Sequence, residues 1–283
     1  MGRLTLLAVS LALLLASSTK AQQGLQPVST NTADGSDNST SYTSTQAAAQ
    51  PPMSPREILE MRGDILMARK EFATAVGAYS QILATEPKNA EIMNKIGVAY
   101  QQLGDLDRSG HFYKRAMSAD KKFASAINNY GTVEYEKKRY GKAIGLYKKA
   151  IVLRPETASL YSNLGYAYFC NKEYPQALTT FEKALTLDPT VFDRKPSGGT
   201  IVQQRSTPDP GLFYFMVAKS YARRGDVERT AHYLKLARDD GYANILSAKT
   251  DPAFAKVIKE PTVVEVLNVA PAYASASKKT TQN

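Results

Sequence analysis

Apolar residues recur along residues 56–189 with two superposed periods. Within short stretches they fall at i, i+3, i+4 and i+7, as in Met93, Ile96, Gly97 and Tyr100, and again in Tyr161, Leu164, Gly165 and Tyr168. That spacing makes one apolar stripe on an α-helix, with polar residues opposite. Over longer distances the stripe itself repeats. Gly63, Gly97, Gly131 and Gly165 stand 34 residues apart; Ala75, Ser109, Ala143 and Ala177, then Tyr79, Tyr113, Tyr147 and Phe181, keep the same interval. Counted from Arg56, Ala90, Ala124 and Ala158 as position 1, these columns are positions 8, 20 and 24. A break at positions 14 to 16 separates two helices, and Phe72, Leu106, Tyr140 or Tyr174 opens the second. Small residues at positions 8 and 20 let the helices approach closely, and the ring at position 24 fills the space beside them. Such a helix pair covers its apolar face only when the next pair stacks on it.

A 34-residue period with these columns, closed by Pro87, Pro155 and Pro189, resembles the tetratricopeptide repeat, although Lys121 takes the proline slot in the second cycle. The resemblance implies an all-α fold, a right-handed superhelix of helix-turn-helix units, with four repeats over residues 54–189. The columns then resume 53 residues on, Ala218 after Gly165 and Leu234 after Phe181, so 19 residues are inserted and a fifth repeat is expected over 211–241. In the insert, 190–210, Val191 and Phe192 precede Pro196-Ser197-Gly198-Gly199, and Thr200, Ile201 and Val202 follow. A β-hairpin over the joint between the fourth and fifth repeats and a plain loop are both open readings, since strict alternation is poor. Asp251-Pro252 and Glu260-Pro261 each set proline in the first turn of a short helix. Residues 242–269 are therefore expected to cap the last open face with Phe254, Val257, Ile258, Val263, Val264 and Leu267.

The ends carry different signals. Arg3, the apolar run Leu4–Ala16 and Thr19-Lys20-Ala21 read as a secretory leader cut after Ala21, with an uncleaved anchor as the alternative. On either reading the repeats lie outside the cytoplasm, in a periplasmic or secreted location. Residues 22–53 are rich in Ser, Thr, Gln, Ala, Asn and Pro, a composition that cannot offset its ordering entropy, so a flexible tether is expected; the tail 270–283 is read likewise as disordered. Order is expected to begin at Ser54-Pro55-Arg56-Glu57, which combines an N-cap, a proline at the first helical position and a capping box.

Candidate chemistry is sparse. The lone Cys170 excludes a disulfide framework, and no Cys/His cluster has metal-ligand spacing. Phosphate loops, G-x-S-x-G and H-E-x-x-H are absent, so no cofactor, metal or catalytic site is expected and the chain reads as a non-enzymatic module. His111 and His232 both fall at position 22, outward on a second helix. Without Arg3 and Lys20 the chain has 34 basic against 26 acidic residues, a net charge of +8. The third repeat is the most basic, with Lys121, Lys122, Lys137, Lys138, Arg139, Lys142, Lys148, Lys149 and Arg154. A solvated convex face is the ordinary reading of that cluster; contact with anionic lipid or an acidic partner is the other. Nucleic acid does not suit an exported chain.

In the family resembled, the first helices line a concave groove and positions 2, 5, 6, 9, 12 and 13 point into it. The candidate partner-binding residues are accordingly Asn94, Lys95, Asn128, Asn129, Tyr135, Asn163, Tyr166, Phe169 and Lys219. Amide side chains can bond the backbone of an extended peptide while rings take its apolar side chains. The resemblance implies Asn129 and Asn163, each two before the repeat glycine, as backbone clamps; a bond to a neighbouring helix is the competing reading. Glu57, Glu60 and Asp64 in the first repeat argue against the terminal-carboxylate ligand that some members hold with a Lys/Asn/Arg cluster. The partner expected is a protein or peptide segment, the task a scaffold in envelope assembly or secretion. Competing classes are a membrane-surface module working through the third repeat and an accessory domain of an enzyme.

Overall fold

The computed structural model describes residues 52–193 and 208–269; the leader, the tether up to Pro51, residues 194–207 of the insert and the tail from Ala270 lie outside the described residues. Five antiparallel helix pairs follow one another: α1 Pro55–Ala68 with α2 Phe72–Thr85, α3 Ala90–Gln102 with α4 Leu106–Ala119, and α5 Ala124–Glu136 with α6 Tyr140–Leu153. Then come α7 Ala158–Cys170 with α8 Tyr174–Leu187, and α9 Pro210–Arg224 with α10 Val227–Asp239. Each first helix packs on its own second helix and, from α3 onward, on the second helix of the preceding repeat. The outcome is an all-α superhelix in which consecutive repeats bury one another, and the described residues contain no strand.

Helix starts follow the local chemistry. At α1 the Ser54 amide donates to Glu57 Oε2 at 2.7 Å and the Glu57 amide to Ser54 Oγ at 3.2 Å, which satisfies two of the orphan donors of a helix start. Asn89, Asp105, Asp209 and Asp226 accept from the backbone at α3, α4, α9 and α10 in the same way. The turn inside every repeat passes through one left-handed residue at position 15: Lys70, Gly104, Lys138, Lys172 and Gly225, with φ between 58° and 79°. Two of the five are glycines, for which this conformation carries no Cβ penalty.

Position 8 shows why the glycine column exists. A Cβ on Gly165 would lie 2.3 Å from Phe181 Cε1, and one on Gly131 would lie 2.7 Å from Tyr147 Cε1. The ring of the second helix therefore sits directly on the backbone of the first. The fifth repeat makes the reciprocal exchange, with Ala218 against the smaller Leu234, both fully buried.

The 53-residue step is absorbed at the joint between α8 and α9. Val191 and Phe192 do not form a strand: they belong to a turn after Pro189 and are buried. Phe192 meets Phe181 at a centroid distance of 5.3 Å, Phe213 of α9 stacks on Tyr166 at 4.8 Å, and Tyr221 donates its hydroxyl to the Pro189 carbonyl at 3.0 Å. At the C-terminal end the short helix signalled by Asp251-Pro252 is a 3-10 turn, Pro252–Phe254; Ile245–Lys249 is a second such turn, and α11 spans Pro261–Asn268. Phe254, Val257, Val263 and Leu267 are buried against the last repeat, whereas Val264 faces outward.

Candidate partner-binding face

The first helices are joined to one another by polar side chains in a regular way. Glu60 accepts from Lys95 Nζ at 2.8 Å, Asn94 Oδ1 from Asn129 Nδ2 at 3.1 Å, and Asn128 Oδ1 from Asn163 Nδ2 at 2.9 Å. In each case position 5 of one repeat meets position 6 of the next, a sequence interval of 35. Within α5 the two amide pairs are linked, because Asn128 Nδ2 donates to Asn129 Oδ1 at 3.2 Å. A second rail runs about two turns further along the helices, joining position 12 to position 13. There Gln101 Nε2 donates to Glu136 Oε1 at 2.8 Å, and the Tyr135 hydroxyl lies 3.1 Å from Cys170 Sγ. Gln101 also accepts from the Tyr113 hydroxyl at 2.9 Å, which ties the rail to the ring column.

Both rails stop at the fifth repeat. Position 6 there is Met216, so Ser162, at position 5 of the fourth repeat, has no amide or cation to meet. Its buried hydroxyl has no hydrogen-bond partner among the described residues. The ring cluster of Tyr166, Phe169, Phe181, Phe192 and Phe213 holds this joint instead.

This geometry places the candidate residues in three groups. Asn128, Asn129, Tyr135, Asn163, Tyr166 and Phe169 are buried, the first four in the rails and the last two in the ring cluster. Asn94 and Lys95 are half-buried and lie in the first rail. Lys219 forms an ion pair with Asp251 at 2.6 Å, which fastens α9 to the C-terminal cap. The neighbouring-helix reading of the asparagines is thus realised at both pairs. Sequence reasoning missed the rails, although the signal was present: polar residues recur at 35, one more than the repeat length, because adjacent first helices are offset by one residue along the inner wall.

The accessible polar residues at inner-wall positions cluster in the first two repeats. Glu57, Glu91 and Gln102 are exposed, while Glu60, Asn94 and Lys95 are partly so. Asp64 joins them, accepting from Lys95 Nζ at 2.7 Å and from the Tyr79 hydroxyl at 2.6 Å. Burial works against the Lys95 charge, but the hydrogen bonds it donates to Asp64 and Glu60 outweigh it and hold the ammonium above its usual range. Arg56 also pairs with Glu60 at 2.9 Å, so four carboxylates meet two cations and this end of the wall is acidic. At the other end burial pushes the Cys170 thiol up, so it is a neutral group packed beside Tyr135 and not an activated nucleophile. Burial likewise raises Glu136.

The convex side carries the basic third repeat, where much of the charge is internally answered. Lys142 and Arg139 both reach Glu134, Lys137 pairs with Asp107 at 2.6 Å, and Lys148 lies 5.5 Å from the Tyr168 ring centroid. His111 and His232 are exposed on second helices. Groups of three or more metal-binding side chains are absent among the described residues, and no described helix is long and apolar enough to cross a membrane.

Comparison with known proteins agrees with the architecture. Tetratricopeptide-repeat family models match residues 60–122 and 158–191, and a further TPR-repeat model matches 131–172. A solved structure from the functional characterization of Pseudomonas aeruginosa pilF is 22% identical, covers 75% of this chain and 88% of that one, and superposes with a TM-score of 0.50. A crystal structure of MamA is 21% identical over 69% of this chain and 98% of its own, with a TM-score of 0.47. MamA 41-end from Desulfovibrio magneticus RS-1 is 16% identical over 69% and 96%, with a TM-score of 0.48. At 22% identity the pilF likeness speaks for the fold alone. Comparison with curated proteins returns no match.

Proposed function

The chain is a tetratricopeptide-repeat protein, and from that premise we propose that it is an exported, non-enzymatic scaffold that holds a segment of a partner protein against its inner wall during envelope assembly or secretion. A repeat fold of this kind offers an interaction surface; the task is set by the side chains on it. The observation that carries the reading is the division of the inner wall. Repeats three to five are locked by buried rails and rings, which makes them a rigid backing, while repeats one and two present accessible Glu57, Glu60, Asp64, Glu91, Asn94 and Gln102. The rails reduce the ordering cost on association because the wall is pre-formed. The acidic balance favours a segment that is polar and basic, with Asn94 and Gln102 available for its backbone. Export rests on Arg3, the run Leu4–Ala16 and Thr19-Lys20-Ala21.

Two experiments test this. Fractionation with N-terminal sequencing of the native chain should find it outside the cytoplasm and beginning at Gln22; a cytoplasmic chain that retains Met1 would contradict export. Affinity capture of partners by the full chain should weaken on Glu91→Lys with Gln102→Lys and stay unchanged on Lys138→Glu with Lys149→Glu. The reverse order would place the working surface on the convex side.

A further inference from the structure

The two ends of the superhelix are finished differently. The last repeat is covered by the 3-10 turns and α11, but the outer side of α1 has no described element on it. Positions 3 and 10 measure the consequence. In later repeats they are covered by the second helix of the preceding repeat: Ile92, Ala126, Leu160 and Phe213 at position 3, and Ala99, Val133 and Ala167 at position 10, are at most 4% exposed. In the first repeat the same columns hold Ile58 and Ile65, which are 48% and 43% exposed, and Met61 and Met53 beside them are 44% and 47% exposed. Ile58, Met61 and Ile65 form one stripe along α1, with the spacing of a helix-packing face, and Met53 extends it just before the N-cap. The residues are those that the fold buries at its other joints, large and apolar where no described element stacks.

Its charged edges point to the occupant. Along one side of the stripe run Glu57 and Asp64; along the other run Arg62 and Arg69, which follow Ile58 and Ile65 by four residues and are both exposed. A surface with acid on one edge and base on the other complements itself. Two such stripes placed face to face about a twofold axis parallel to α1 bring the acidic edge of each against the arginine edge of its copy. Beyond the leader, the undescribed segments have little to offer the stripe, with Ile201 and Val202 the only bulky apolar residues of 194–207. Residues 22–51 contain only Leu25, Val28 and Tyr42 as bulky apolar side chains, and residues 270–283 only Tyr273.

We propose that the exposed stripe of α1 is a self-association surface through which two copies of the chain pair by their first repeats, α1 parallel to α1. The pairing completes at the N-terminal end what α11 completes at the other, and joins two inner walls at their acidic ends.

The test is sedimentation velocity of the full mature chain across a concentration series. A reversible monomer–dimer equilibrium is expected. Ile58→Glu with Ile65→Glu should raise the dimer dissociation constant at least about 100-fold, because each copy would bury carboxylates without partners. Arg62→Glu with Arg69→Glu should also dissociate the dimer by making both edges acidic, and circular dichroism should show both variants folded. A pair of substitutions on the convex side, Lys138→Glu with Lys149→Glu, should leave the equilibrium unchanged. A chain that stays monomeric throughout the series overturns the proposal, as does a dimer that survives either α1 variant. The assay contains no partner, so loss of the groove reading would leave its result intact.

Discussion

Adding one methyl group at Gly165 would test how the repeats are built. The Cβ of an alanine there would fall 2.3 Å from Cε1 and 2.4 Å from Cδ1 of Phe181, far inside van der Waals contact. The ring has little room to retreat, since Phe192, Phe213 and Tyr166 surround it at centroid distances of 5.3, 5.7 and 5.9 Å. Two effects oppose each other. Alanine in a helix interior gains about 1 kcal/mol over glycine. Overpacking a well-filled core costs roughly 1–3 kcal/mol, and a fully buried ring boxed in by three others belongs at the upper end of that range. Gly165→Ala should therefore lose about 2 kcal/mol. Phe181→Leu alone should also destabilise, because it removes ring volume from a packed joint and leaves a cavity. Together they recreate the Ala218/Leu234 pair of the fifth repeat, and in the leucine background the alanine should be neutral or gain up to about 1 kcal/mol. The signature is a coupling of at least about 2 kcal/mol in the double-mutant cycle. Urea unfolding followed by circular dichroism measures all four corners. Additive effects, or a single Gly165→Ala chain as stable as the parent, would refute the claim that ring-on-backbone contact sets the glycine column.

Other consequences are simpler to state. Lys138 stands at φ 58°, so Lys138→Gly should stabilise by about 0.5–1 kcal/mol, the left-handed penalty of an L-residue less the greater unfolded-state entropy of glycine; urea midpoints decide it. Ser162→Ala removes a buried hydroxyl that lacks a partner among the described residues and should stabilise by up to about 1 kcal/mol by the same measure. Burial alone would raise Asp251, but Lys219, the Ala253 amide and the lysine's charge together hold it below its usual range. Its stabilising effect is thus fully present above the ordinary aspartate range and is lost as pH falls through the lower native value. Hydrogen exchange should show α11 protected in the parent chain at neutral pH and less so in Lys219→Met, with the difference vanishing in strong acid.

The repeat boundaries and the helix-pair packing were legible because they rest on short-range columns. Glycine at position 8 and a ring at position 24 sit in one unit, and their spacing is the geometry. The cap was legible in outline from Pro252 and Pro261, which open two short helices, the 3-10 turn Pro252–Phe254 and α11. Burial at the inner wall was less legible. Position numbers say which side a residue shares, and Asn128, Asn129 and Asn163 do lie on the side shared by adjacent first helices; whether an amide there meets a ligand or another amide depends on the offset between helices. That offset appears in the sequence only as a polar recurrence at 35, easily hidden beneath a dominant period of 34. The sequence left Val191 and Phe192 open between hairpin and loop, because β-branched neighbours look like strand; in the structure the ring packs on Phe181 and Tyr166 from a turn.

The central claim, a partner segment held on the inner wall of the first two repeats, is tested most directly by site-specific photocrosslinking in native cells. Photoreactive residues at Glu91 and Gln102 would sample the accessible wall, and one at Lys149 would sample the convex side. Discrete crosslinked species from Glu91 and Gln102 that map to one segment of a partner, with none from Lys149, are the predicted result. Crosslinks from Lys149 alone would contradict it and move the working surface to the basic outer face.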